Sequence, residues 1–350
     1  MEDEVKARAA LLRWYRANAR DLPFRRTKDP YRILVSEVAL QQTRIEQGLP
    51  FLERFLERFP TVESLAAASE EQVLRAWEGL GYYRRARSLR ATAAAIMRRH
   101  DGKVPEGFDD LLALHGVGPY TAGAVASIAF GARVPAVDGN AARVLARLFM
   151  VEDDPSAPAG LRAFQGFSLS FMGRADPGTF NQALMELGAT LCRPRSPLCR
   201  ECPLEESCAA RKAGLAEDYP VRSPAAALPE VQVAFALVER KGRVLSVRRG
   251  KTGLFAGMWA LPGGAIRDAQ SPREALARHL GWHGLTIKEM REVDLRRKVF
   301  SSRVWNARIY ACDVQGRGSP LEHARWFTPE ERAKVPFVPF QRELLDRLDR

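Results

Sequence analysis

The 350-residue sequence predicts a multidomain protein, an all-α N-terminal region followed by a smaller α/β C-terminal domain. Up to about residue 212 apolar residues recur at three- and four-residue intervals, the period of a helix face. Beyond residue 229 they alternate, as they do in strands. Between the two periods lies "AEDYPVRSPAAALPE", whose three prolines read as an extended linker. The expected division is therefore 1–212 for the helical region, 213–229 for the linker and 230–350 for the second domain.

Clear examples of the helical pattern, in order, are "YRILVSEVALQQTR", "TVESLAAASEEQVLRAWEGL", "RRARSLRATAAAIMRRH" and "NAARVLARLFMV". After the linker, "VQVAFALVERKGRVLSVRR" alternates and turns at Lys241-Gly242, as a hairpin does. "SPREALARHLGW" then carries Ser271 at N-cap, Pro272 at N1 and Glu274 at N3, a capping-box helix. "REVDLRRKVFSSRVWNARIYACDV" returns to alternation.

Hydrophobic residues make up 46% and charged residues 27%, which fits a globular chain and excludes a disordered one. The net charge of +12 favours a polyanionic partner, nucleic acid above all, although a basic surface can also serve solubility alone. No apolar run reaches the ~18 residues of a membrane span, and the acidic, helical "MEDEVKARAALLRWY" does not read as a signal peptide. The expected location is the cytoplasm.

Four of the five cysteines, Cys192, Cys199, Cys202 and Cys208, follow the spacing C-x6-C-x2-C-x5-C. Thiolates so close in sequence converge on one centre as a compact loop, and four sulfur ligands suit Zn²⁺ or an iron–sulfur cluster. Arg193, Arg195, Arg200 and Glu201 make the loop too polar for a core. Cys312 lies in a strand pattern and reads as a small buried residue.

In "LLALHGVGPYTAGAVASIAF" one apolar helix ends at Gly116-Val117-Gly118 and another begins near Pro119. Glycines permit a tight turn and a close approach, and the free N–H groups of the second helix suit a phosphate. "AVDGNAARV" puts Asp138 ahead of a helix that begins near Asn140, the place of an N-cap. That position favours the charged carboxylate, so Asp138 is expected to be held ionised, and Gly139 leaves room for a substrate. Glu37 shares a helix face with Ile33 and Leu40. If that face is the buried one, its pKa rises towards neutrality. Two carboxyls in contrasting environments divide acid and base roles.

Jointly, "LPFRRTKDPYRILVSEVALQQTR", "WEGLGYYRRAR", "GVGPYTAGAV", "PAVDGN" and the cysteine loop resemble the MutY family of adenine DNA glycosylases, within the helix-hairpin-helix superfamily. The resemblance runs over essentially the whole chain. It implies an all-α glycosylase region, with a six-helix module at about 22–133 and an iron–sulfur module from 1–21 and 134–212. It implies a [4Fe-4S] cluster on the four cysteines, and a structural cation on the hairpin carbonyls of Leu112, Leu114 and Val117. The partner it implies is double-stranded DNA carrying adenine opposite 8-oxoguanine or guanine, bound by a monomer. Glu37 would protonate the extruded adenine and Asp138 would stabilise the sugar cation, with Tyr120 and Asn140 positioning them. Arg25, Gln42, Thr43, Tyr82, Gly116 and Gly118 would meet the base or the DNA. Phe24 stands where the family has tryptophan.

"ALPGGAIRDAQSPREALARHLGW" resembles a degenerate Nudix box, with Arg267, Gln270 and His279 where acidic residues would hold Mg²⁺. In the family this α/β Nudix-like domain instead inspects 8-oxoguanine through Phe-Ser-His. Here the loop reads Phe300-Ser301-Ser302, which puts the strength of that discrimination in question. An endonuclease III-like glycosylase/lyase is the nearest rival, but its Schiff-base lysine would sit where this chain has Tyr120. A non-catalytic iron–sulfur DNA-binding protein is the other alternative.

Overall fold

The computed structural model describes residues 2–223, 227–316, 318 and 323–349. By its internal contacts the chain divides into one unit of Met1–Ala68 and Arg84–Pro224 and a second of Ser69–Tyr83 and Ala225–Arg350. Among the described residues every strand falls at or beyond Glu230.

In the first unit, local chemistry sets the helix starts. Asp29 caps Pro30–Leu40, accepting from the Tyr31 and Arg32 N–H groups at 2.9 and 3.4 Å, and Asp176 caps Pro177–Thr190 through the Thr179 N–H at 2.8 Å. Pro119–Phe130 ends on Gly131 in the left-handed region. The N-terminal helix Glu2–Asn18 shares a core with the helices of residues 139–190 through Leu11, Leu145, Phe164, Phe171, Phe180 and Leu184.

Two expectations need correction. "TVESLAAASEEQVLRAWEGL" is helical in two pieces, Val62–Ala67 and Glu70–Ala76, because Thr61 and Ser69 each nucleate a capping box of their own. That break gives seven α-helices between residues 22 and 133, not six. Nor does the expected linker start at residue 213. Tyr219 is buried in the first unit's core, its carbonyl accepts from Arg147 at 3.0 Å, and the Ser223 N–H donates to Asp154 at 2.9 Å. Residues 224–226 of that linker lie outside the described residues.

Among the described residues the C-terminal part of the second unit has eight strands: β1 (Glu230–Leu237), β2 (Glu239–Arg240), β3 (Arg243–Arg248), β4 (Trp259–Ala260), β5 (Gly263–Ala265), β6 (Thr286–Val299), β7 (Val304–Gln315) and β8 (Ala324–Phe327). One sheet runs β5-β1-β7-β6, with β1 and β7 parallel. The other runs β2-β3-β4, with β8 also paired to β3. The helix Pro272–Gly281 starts on the Ser271–Glu274 capping box and packs Leu276 and Leu280 against the first sheet. The β6–β7 hairpin projects the loop 300–303, closed by a bond from the Phe300 N–H to the Arg303 carbonyl at 2.9 Å.

Candidate active site

A cleft of about 1000 Å³ in the first unit is lined by residues from six α-helices and the turns beside them. Glu37 enters from Pro30–Leu40, Tyr120 and Thr121 from Pro119–Phe130, and Asp138 and Asn140 from the start of Gly139–Phe149. Gln182, Met185, Glu186 and Ala189 enter from Pro177–Thr190. A cleft of this size accommodates a nucleobase and its sugar.

Glu37 sits among buried neighbours, Val35, Ser36 and Val38. Burial pushes its carboxyl up to about 7; Asp138 adds to that, while the Tyr120 hydroxyl and Arg25 oppose it. Tyr120 donates to Glu37 Oε2, and Met185 Sδ lies 3.3 Å from the same hydroxyl. Burial and the Glu37 charge raise the phenol well above its usual range, so Tyr120 acts as a fixed donor.

Asp138 is the N-cap foreseen. Its Oδ1 accepts from the Asn140 and Ala141 N–H groups at 3.0 and 2.7 Å, and its Oδ2 from the Asn140 side chain at 2.9 Å. The expected electrostatic direction is nevertheless reversed. Burial raises the Asp138 carboxyl, and three hydrogen bonds recover only part of that shift. Asn140 is held in turn by Arg143 at 2.8 Å, which also donates to the carbonyls of Gly188 at 2.9 Å and Cys192 at 2.7 Å.

Arg25 reaches the cleft as expected, but its partner was not foreseen. The fully buried Glu186 accepts from Arg25 at 2.7 Å and from the Arg20 side chain at 2.8 and 2.9 Å. Burial raises this carboxyl, but the arginine hydrogen bonds outweigh it and hold it at about 2. The signal was present in "FNQALMELGATL", where Glu186 is a lone acid on an apolar helix face, as Glu37 is on its own. Its partner lies 166 residues away, beyond the reach of any local pattern. Arg85 was also missed. It donates to the carbonyls of Val38 and Ala39 at 3.1 and 3.2 Å, and to that of Gln41, tying down the end of the Glu37 helix.

Just beyond that end, Gln42 is exposed with a left-handed backbone at φ 56°, and Thr43 is half-buried beside it. At the hairpin, Gly116 has φ +81°, and a Cβ there would meet Ser88 at 2.5 Å. Gly118 is different. Its φ is −96°, a Cβ would meet nothing within 4 Å, and it opens Pro119–Phe130 with no side-chain cap. Gly139 has the same open space. Both glycines line the cleft, where they leave the backbone accessible to a ligand. Of the carbonyls foreseen for a cation, that of Leu114 accepts from the Val117 N–H at 3.2 Å; the Leu112 side chain is exposed and those of Leu114 and Val117 are buried.

Cys192, Cys202 and Cys208 pack beside the first unit's core. Arg147 lies on the loop, 3.4 Å from Cys192 Sγ, and donates to the Arg193 and Pro194 carbonyls at 2.6 and 2.9 Å. Burial pushes the Cys202 thiol up to about 12, and Cys199 and Cys208 rise in the same direction, with Cys192 adding to all three. Among the described residues no three such side chains are drawn together as a metal-ion site. The donor set itself, four soft sulfurs with guanidinium groups beside them, fits an iron–sulfur cluster.

In the second unit, Tyr82 is 49% exposed and left-handed at φ 47°. Ser301 and Ser302 are exposed. Phe300 is half-buried beside them, edge-on to Phe255 at 5.5 Å and to Trp305 at 5.3 Å, where this end of the sheet offers an aromatic surface.

Residues 35–166 match the model of the HhH-GPD superfamily base excision DNA repair proteins. Residues 233–347 match the NUDIX domain. A solved thermostable thymine-DNA glycosylase is 26% identical, with a TM-score of 0.56 over 61% of this chain and 98% of that one. An endonuclease III in a non-covalent DNA complex is 25% identical, with a TM-score of 0.52 over the same 61% and 98%. The glycine hairpin, the carboxyl-lined cleft and the helical fold thus define a base-excision DNA repair protein of the HhH-GPD superfamily.

Sequence similarity narrows this. An adenine DNA glycosylase of Homo sapiens is 34% identical over 94% of this chain and 71% of its own length. One of Mycolicibacterium smegmatis is 42% identical over 69% of this chain and 80% of its own. The chain belongs to the adenine DNA glycosylase family, and it is a DNA-binding N-glycosylase, a hydrolase of base excision repair.

Proposed function

We propose that this enzyme excises adenine paired with 8-oxoguanine or guanine, by hydrolysis alone, after the nucleotide has turned out of the duplex into the cleft. The observation that carries the reading is the pair Glu37 and Asp138 on one cleft, one carboxyl at about 7 and the other fixed by three hydrogen bonds.

Glu37 gives its proton to adenine N7. The N9–C1′ bond then breaks, its electron pair leaving with the base, and positive charge develops on the sugar. Asp138 faces that charge as a carboxylate, stabilising it directly or through a transient bond to C1′. Water attacks C1′ and gives its proton back to Glu37, in the logic of two-carboxylate glycoside hydrolysis. Tyr120 orients Glu37 and Asn140 orients Asp138. A phenol cannot form a Schiff base with the sugar, so the reaction stops at an abasic site.

Gly118 and Gly139 suit a close approach of the DNA backbone, and the hairpin carbonyls of Leu112, Leu114 and Val117 suit a cation. Gln42 and Tyr82 would fill the space beside the displaced base. Ser301 and Ser302 would meet the opposite base. Cys192, Cys199, Cys202 and Cys208 would hold a [4Fe-4S] cluster, which when bound staples their loop. A chromosomal substrate and a chain acting as a monomer in the cytoplasm complete the reading.

The test is strand cleavage on duplexes with adenine opposite 8-oxoguanine. Breaks are expected only after alkali treatment. Spontaneous scission, or excision of an oxidised pyrimidine in place of adenine, would overturn the assignment.

A further inference from the structure

Phe255 is a bulky residue with a left-handed backbone at φ 56°, a conformation its side chain disfavours. Something must hold it, and Arg249 does. The Arg249 side chain donates to the Leu254 carbonyl at 3.0 Å while its guanidinium lies over Trp305 at 5.6 Å. The Gly257 N–H closes the same loop onto the Arg249 carbonyl at 3.1 Å. The turn thus presents the Phe255 ring at a fixed point on the sheet end.

Four rings meet it, Phe300, Tyr83, Trp305 and Phe340, and the first two lead to exposed tips. Phe300, which begins the loop of Ser301 and Ser302, meets Phe255 edge-on at 5.5 Å. Tyr83, the residue after Tyr82, meets it at 6.3 Å, with Tyr83 itself buried. Both contacts lie within the second unit. One side chain therefore backs two exposed tips that are far apart in sequence.

We propose that Phe255 is a positioning residue shared by the Tyr82 turn and the 300–303 loop, setting how sharply the enzyme distinguishes the base opposite the adenine. The inference rests on the reading that these two tips meet DNA. Losing the ring removes the contact that the two tips share, while Phe300 keeps its contact with Trp305 at 5.3 Å.

The experiment compares Phe255→Leu, which keeps an apolar side chain but removes the ring, with Phe255→Tyr, which restores a ring, in the full chain. In Phe255→Leu the turnover preference for 8-oxoguanine over guanine opposite adenine should fall about tenfold, the upper range of one aromatic contact. In DNA-free protein, tryptic cleavage after Arg303 should accelerate by a similar factor. Phe300→Leu should reproduce both effects from the other side of the contact, and Phe255→Tyr should restore both. A preference within twofold of wild type in Phe255→Leu overturns the proposal, whatever happens to the melting temperature. Should wild type itself show no preference, the reading of the loop as a base inspector fails. The tryptic arm then still decides the anchor, and unchanged cleavage after Arg303 overturns it.

Discussion

Glu37 and Glu186 are the same residue type, each alone on an apolar helix face, each lining one cleft, and they are driven in opposite directions. Glu37 rises to about 7. Glu186, whose side chain has no exposed surface, falls to about 2. Burial raises both, so it cannot account for their opposite directions. The difference lies in what each carboxyl touches: a phenol in one case, two guanidinium groups in the other. A neutral donor leaves a proton available near pH 7, whereas paired cations remove it permanently. One glutamate is thereby fitted for proton transfer and the other for holding Arg20 and Arg25 in place.

The comparison is broken most severely by Glu37→Gln. Removing the acid should lower single-turnover adenine excision by about 10³-fold, within the range of general acid catalysis, while DNA binding in a gel-shift assay persists. Retention of more than a tenth of the activity would transfer the acid role elsewhere.

Glu186→Gln should act first on the fold. It leaves two cations facing a neutral amide, costing about 3–5 kcal/mol as breaking a buried ion pair does, to be read by urea unfolding at pH 7. The pH dependence has a definite sign. Because the folded pKa of Glu186 is depressed to about 2, its stabilisation is complete above the unfolded value. It is lost as pH falls from about 4.5 to 2, and the Gln variant should lose that component of acid unfolding.

A milder change sharpens the contrast. In the proposed mechanism protonated Glu37 is the active form, so excision should decline as pH rises through about 7. The Tyr120 hydroxyl favours the ionised carboxylate, so Tyr120→Phe should carry that alkaline limb to higher pH. An unshifted limb in the variant would separate the titrating group from Glu37.

Much of the site was legible because its signals are local. Asp138 one residue before a helix, Gly116 and Gly118 around a turn, and Glu37 four residues from Ile33 are patterns a short window contains. What escaped depends on distance or on competing terms. Glu186 finds Arg20 across 166 residues. Tyr219 looks like part of a linker until a core forms around it. The Asp138 direction failed because a helix N-terminus was weighed without the burial that outweighs it. The packing of Phe300 on Phe255 is likewise absent from any short window around Phe300.

Asp138 also carries two obligations on one side chain. It begins the helix Gly139–Phe149, and it faces the reacting sugar in the proposed mechanism. Asparagine begins helices as well as aspartate does, so Asp138→Asn should satisfy the first obligation and fail the second. Such a protein would express, melt and elute like its parent. Any survey that ranks variants of this chain by abundance or thermal shift would score that lesion as harmless, and only a turnover measurement would expose it.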